Sequence, residues 1–291
     1  MKFLVAVDGS TQSSDAIQAL AHFGPSPDLT LVHAIHLPDL DHPMITPEFR
    51  DELLSEVEEK HRKEGERLLR DAKANLPITP ARVETVLQIG PPSQVILETA
   101  QSATSDLILM GARGLGTVKE LVLGSVSHRV LLHAPCSVLI LKGPIPSIRH
   151  ILTPVEGEED ATRILDFLKK IPFSQNIRLT IMSVWPQPQL PWPLTLGQSK
   201  LLEEKAIQHA QERVDRIAED LRQQTSFHTD TVIGLGDPVY AIHEQAKGMK
   251  VDLIVVGSHS RSGLSRFLLG SVSHSLVHES SCPVLVARHA S

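Results

Sequence analysis

The 291-residue chain holds only two cysteines, Cys136 and Cys282. Two thiols cannot build a disulfide framework, and each stands beside an apolar run, so both read as small buried hydrophobes in a reduced compartment. Aromatic residues are 3% of the chain, which leaves few platforms for stacking nucleic-acid bases. The net charge of −6 lacks the basic footprint of a nucleic-acid binder. No run approaches 18 uninterrupted apolar residues, so neither a membrane span nor a membrane partner is expected. The opening Met1-Lys2-Phe3-Leu4-Val5-Ala6-Val7-Asp8 reaches an acid too early for a secretory core, and a cytoplasmic location is the expectation. No Gly-Lys-Ser/Thr phosphate loop occurs, and Gly114-Leu115-Gly116 and Gly234-Leu235-Gly236 lack the third glycine of a dinucleotide fingerprint. What the chain does have is 41% hydrophobic and 21% charged residues, over about twice the common domain length.

The length is explained by repetition. Leu123-Gly124-Ser125-Val126-Ser127-His128 returns as Leu269-Gly270-Ser271-Val272-Ser273-His274. The same offset aligns Asp106-Leu107-Ile108 with Asp252-Leu253-Ile254, and Cys136-Ser137-Val138-Leu139 with Cys282-Pro283-Val284-Leu285. The halves also open alike, Val7-Asp8-Gly9-Ser10 against Val155-Glu156-Gly157-Glu158. Collinear matches over most of each half mean a tandem duplication, with domains at 1–143 and 148–291. The stiff Gly143-Pro144-Ile145-Pro146 segment joins them. The first repeat carries 13 basic and 18 acidic residues, so it holds nearly all of the net charge.

Within each repeat, short β-rich apolar runs alternate with helical patterns. Phe3–Val7, Leu29–Ile35, Arg82–Leu87, Leu107–Met110 and Val138–Leu141 read as strands covered on both faces. Ser13–His22, Pro47–Ala74, Pro92–Ala100 and Ser125–His133 read as the helices between them. Alternation of this kind predicts an α/β fold of two doubly wound, five-stranded parallel-sheet domains, with ligands beyond the carboxyl ends of the strands.

At those ends, Gly111-Ala112-Arg113-Gly114 is followed by nine residues and then by Gly124-Ser125 opening a helix. Glycines admit close approach of an anion, and main-chain N–H groups, the Ser125 and Ser127 hydroxyls and the helix dipole suit a polyphosphate. A plain glycine turn before an ordinary helix fits equally well. Asp8 is placed to accept from a ribose hydroxyl or an adenine amino group, while Asp8, Ser10 or Ser13 also suits a simple helix cap.

Taken together, the Asp-Gly-Ser start, the Gly111-x2-Gly114-x9-Gly124-Ser125 pattern and the terminal Cys-x-Val-Leu strand resemble the universal stress protein family, twice over. The resemblance implies a Rossmann-like or flavodoxin-like domain of the ATP-binding branch. It implies an adenine and ribose site at Ala6, Val7, Asp8 and Ala34. It puts phosphates at Gly111, Arg113, Gly114, Gly124, Ser125, Val126 and Ser127, over a floor at Met110. The expected ligand is ATP, or ADP or AMP, with Mg2+ as an optional companion. The resemblance further implies pairing of Val138–Leu141 with Val284–Ala287 into an internal pseudo-dimer, with homodimerisation and an unidentified protein partner left open.

The second repeat departs from the pattern. Its corresponding positions are Pro154, Val155, Glu156, Val184, Val256, Gly257, His259, Ser260, Gly270, Ser271, Val272 and Ser273. Ser260 replaces the second glycine, at a cost of about 1–2 kcal/mol if the position is left-handed. Nucleotide is therefore expected mainly in the first repeat. A slow ATPase or nucleotidyl-transfer enzyme and a non-binding scaffold are the rival readings, but the sequence offers no evident nucleophile–base pair. His33, His36 and His42 lack zinc-type spacing, and His128 and His274 read as inherited packing residues. The Trp185–Trp192 segment, rich in proline, reads as a stiff surface loop or as a lid.

Overall fold

The structure is a computed structural model that describes residues 1–24, 27–38, 46–114, 123–173, 176–186, 196–258 and 269–288, apart from the side chains of 47–48 and 196–202. The chain divides into two compact units. One contains Met1–Ala21 and runs on to Pro144; the other runs from Ile145 and takes in His22–Gly24. None of the described helices is long and apolar enough to cross a membrane.

The first unit is built from β1 (Lys2–Ala6), α1 (Thr11–Gln18), β2 (Asp28–Ile35), α2 (Pro47–Ala74), β3 (Arg82–Ile89), α3 (Pro92–Ser102), β4 (Leu107–Gly111), α4 (Ser125–His133) and β5 (Ser137–Leu141). Its strands are parallel in the order β3-β2-β1-β4-β5. The second unit repeats this plan with β6 (His150–Pro154), α5 (Glu158–Lys170), β7 (Arg178–Trp185), α6 (Leu196–Gln224), β8 (His228–Leu235), α7 (Pro238–Gly248), β9 (Leu253–Gly257), α8 (Ser271–Glu279) and β10 (Val284–Ala287). Its order is β8-β7-β6-β9-β10, again parallel. In each unit the order reverses beside the first strand, which opens a crevice at the carboxyl ends of β1 and β4, or of β6 and β9.

Burial explains the central strands. Every residue of β4 and β5 is buried, and Leu4, Val5, Leu31, Ile108, Leu109 and Leu139 are wholly so. Each such leucine or isoleucine contributes on the order of 2 kcal/mol through removal from water. The expectation of strands covered on both faces fails at β3 and β8, where exposed and half-buried residues predominate. Both lie at a sheet edge, where polar side chains such as Glu84 and Gln88 meet solvent. The repeated acid before the fourth strand also has a structural use. Asp106 accepts from the Lys2 N–H at 2.8 Å, and Asp252 from the His150 N–H at 2.9 Å, so each fastens the start of one strand to that of its neighbour.

The first helix starts two residues before the expected Ser13 and ends at Gln18, after which Ala19–His22 tightens into a 3-10 turn. Ser10 is its cap, accepting from the Ser13 N–H at 3.1 Å. Gly9 precedes it at φ +79°, and a Cβ there would lie 3.0 Å from Leu68 Cδ2. Left-handed geometry and the closeness of α2 both demand glycine. Gly9→Ala should therefore lower stability by about 1–2 kcal/mol. Gly143→Ala, at a position with nothing within 4 Å, should change it by less than about 0.5 kcal/mol. Denaturant unfolding of the two variants checks this, and equal losses would contradict it.

Candidate functional site

A cavity of about 370 Å3 opens at the carboxyl end of the first unit's strands. All twelve residues expected from the first repeat line it. Ala6, Val7 and Asp8 come from β1 and its exit, Ala34 from β2, and Met110 and Gly111 from β4. Arg113 and Gly114 follow β4, and Gly124, Ser125, Val126 and Ser127 open α4. The structure adds Ser13, Val32, His33, Pro92 and Ile96, which the sequence pattern did not indicate.

The phosphate-type loop is closed by two hydrogen bonds. Ser127 Oγ donates to the Gly111 carbonyl at 2.9 Å, and the Gly124 N–H donates to the Ala112 carbonyl at 2.7 Å. The expected role of the Ser127 hydroxyl as a donor to ligand is thereby corrected: its proton is given to the scaffold. Gly124 caps α4 in extended geometry, and no side chain bonds the helix start. The first N–H groups of a helix have no carbonyl within it, so those of α4 face the cavity end as donors. Ser125 is exposed and lines the cavity at that end.

The acid is held by its neighbours. Asp8 Oδ1 accepts from the Ser10 N–H at 2.9 Å, so it stabilises the turn while Ser10 does the capping. Its other oxygen lies against Gly114, where any Cβ would collide with it. Gly114 is not among the residues with positive φ. The second glycine is thus required by contact with Asp8 and not by left-handed geometry. On the other side of the loop, Gln12 Oε1 accepts from the Arg113 N–H at 2.6 Å. Gln12 Cβ would lie 2.6 Å from a Cβ on Gly111, which explains the first glycine. His33 donates from Nδ1 to the Val7 carbonyl at 2.6 Å and is half-buried on the cavity wall. Its ring packs against Gly65, where a Cβ would come within 2.8 Å of His33 Cδ2.

The second unit keeps the frame and changes the chemistry. Ser273 Oγ donates to the Gly257 carbonyl at 2.7 Å and the Gly270 N–H to the Ser258 carbonyl at 3.0 Å, the same pair of closures. Ser273 is therefore also a scaffold donor. Pro154 ends β6, Val155 bonds the Met182 carbonyl, and Val184 and Val256 lie on β7 and β9. Ser271 and Val272 open α8 behind the Gly270 cap. Gly157 is extended at φ −160°, so the left-handed turn of Gly9 has no counterpart after Glu156. Asp160 stands where the first unit has Gln12. Its Oδ2 accepts from the Glu156 N–H at 3.3 Å, and its Oδ1 lies against Gly257. Burial pushes its carboxyl above the ordinary range, with the neighbouring Glu156 charge adding to the rise. His259 and Ser260 lie outside the described residues, as do His42 and 187–192 of the Trp185–Trp192 segment. Trp185 itself ends β7. Cys136 is buried as expected, whereas Cys282 is half-buried and bonds Ser280 through its N–H and sulfur. His274 stacks on His278 one turn later, 4.4 Å between ring centroids.

This fold and loop are those of a known family. The model of the Universal stress protein family matches residues 1–142 and again 147–288, and the chain belongs to that family. A universal stress protein of Bacillus subtilis, YxiE, is 35% identical over 149 residues, which cover 48% of this chain and 98% of that protein. Rv2623 of Mycobacterium tuberculosis, also a universal stress protein, is 25% identical over 278 residues, 90% of this chain and 87% of its own. The crystal structure of a universal stress protein from Archaeoglobus fulgidus superposes with a TM-score of 0.63 at 22% identity, covering 99% of this chain and 96% of that one. The last comparison establishes the shared architecture of two tandem α/β domains.

The half-buried Asp160 makes stability depend on pH. Its folded-state pKa is raised, so the ionised form destabilises the fold, and this loss is absent below the unfolded carboxylate range and grows as pH rises through it. Asp160→Asn should therefore stabilise the chain at pH 7, by a margin that shrinks toward zero as pH falls below about 4. Thermal unfolding of both proteins across that range checks it, and a margin independent of pH would contradict it.

Proposed function

We propose that the first unit binds an adenine nucleotide, ATP foremost, and that the protein acts as a nucleotide-dependent regulatory module of the stress response. One observation carries the reading: a single cavity joins an apolar end to an end made of main-chain N–H groups, an uncapped helix start and Arg113. The apolar part, with Ala6, Val32, Ala34 and Ile96, suits a purine. Asp8 lines the same cavity, with one carboxylate oxygen against Gly114, in reach of ribose hydroxyls. The start of α4 suits phosphate oxygens, since backbone donors and the helix dipole favour negative charge there. Arg113 adds a cation that can grip two phosphate oxygens at once. ADP and AMP share the purine end, and Mg2+ would travel with the phosphates rather than on a protein carboxylate cage. The second unit holds nucleotide more weakly or not at all.

Titration calorimetry with ATP tests the reading, followed by incubation with Mg2+ and chromatography of the recovered nucleotide. Bound ATP recovered intact supports a switch, and turnover would favour the enzyme. Arg113→Ala should weaken ATP by about tenfold or more, the value of one charge-assisted contact. Gly114→Ser, which drives a Cβ into Asp8, should weaken it at least as much. Unchanged affinity in both variants would refute the site.

A further inference from the structure

Among the differences between the two units, one at the start of the helix after the first strand exchanges a neutral side chain for an acid. On α1, Gln12 packs its Cβ on Gly111 and accepts the Arg113 N–H at 2.6 Å, so the group bonded to the loop here is a neutral amide. On α5, Asp160 takes the same place in the first turn. It sets a carboxylate oxygen directly on Gly257, the residue whose carbonyl is bonded by Ser273 at the start of α8. Its other oxygen is engaged by the Glu156 N–H, which fixes the group in that position. Glu156 supplies a second acid where the first unit has Asp8 alone. A fixed anion next to a phosphate loop opposes phosphate by direct repulsion, and the effect is larger where the acid is partly desolvated.

We propose that the residue in this place decides which unit accepts a phosphate chain. Gln12 admits it to the first unit and Asp160 excludes it from the second, so the chain carries one nucleotide. The proposal rests on the nucleotide reading of the first cavity. Gln12 is a specificity-determining residue acting through charge, with the Arg113 N–H contact as its anchor. The exclusion is selective by ligand charge, strongest for ATP, weaker for AMP and absent for adenosine.

The test is calorimetry on the full chain with ATP, AMP and adenosine. Wild type should bind one ATP, and Asp160→Asn should bind two. Gln12→Glu keeps an acceptor for the Arg113 N–H and adds only charge. It should bind ATP about tenfold or more weakly, AMP less so, and adenosine like wild type. A Gln12→Asn control, with no added charge, should show no gradient with phosphate number. Two equivalent ATP sites in wild type would overturn the proposal and leave the nucleotide reading intact. A stoichiometry still at one in Asp160→Asn would overturn the assignment to that residue. Equal losses for ATP and adenosine in Gln12→Glu would mean that Gln12 is structural only. Absence of ATP binding to wild type would instead fail the underlying reading.

Discussion

The hydroxyl of Ser127 on the carbonyl of Gly111, at 2.9 Å, is the contact on which the site depends. It ties the first turn of α4 to the last residue of β4 across the loop, and the Gly124 to Ala112 bond at 2.7 Å closes the same ring. With the Ser127 side chain committed inward and no side-chain cap at Gly124, the helix start offers its main-chain donors to the cavity. The second unit reproduces the contact through Ser273 and Gly257 at 2.7 Å. The repeated Gly-Ser-Val-Ser-His sequence is therefore first a device that builds a helix start over a sheet end. What that start binds is decided by residues outside the device.

Charge makes the same distinction between frame and site. The first repeat holds most of the chain's acidity, an unpromising setting for an anion. Much of that acidity lies on α2, paired on the helix surface: Arg62 with Glu58, Lys63 with Glu59, and Arg67 with Glu64 and Asp71. Pairs this exposed add little to stability and are screened within about 8–10 Å at moderate salt. The field at the cavity is set by nearer groups, the N–H donors of α4, Arg113 and Asp8. Net charge and local potential part company here because the distances differ.

The strands of the first unit and its loop were legible from local pattern and repetition, and the other cavity-lining residues from the resemblance to the family. Apolar runs gave the strands, and the spacing of Gly111, Gly114 and Gly124 gave the loop. The reasons behind the pattern were not legible. The contact that requires Gly114 comes from Asp8, and the bond that orders Arg113 comes from Gln12, 101 residues earlier. Neither pairing has a periodic signature. His33, which lacks zinc-type spacing, carries no role in the sequence, and only the fold places its Nδ1–H on the Val7 carbonyl. Asp160 does not stand out in the sequence for a related reason. In sequence it is one of three acids in a helix's first turn, a common way to complement the dipole, and only packing against Gly257 sets it apart.

A duplicated domain can diverge by keeping its frame and altering a few contacts, and this chain shows where that has happened. The strand-start fasteners Asp106 and Asp252 and the serine closures are common to both units. The turn after the first strand and the first turn of the following helix are not. The most direct test of the account is an ATP titration of 15N-labelled protein followed by amide chemical shifts. The account predicts large shifts at the N–H groups of Gly124, Ser125, Val126 and Ser127 and little change at Gly270, Ser271, Val272 and Ser273. Equal shifts in the two sets, or shifts confined to residues away from the start of α4, would contradict it.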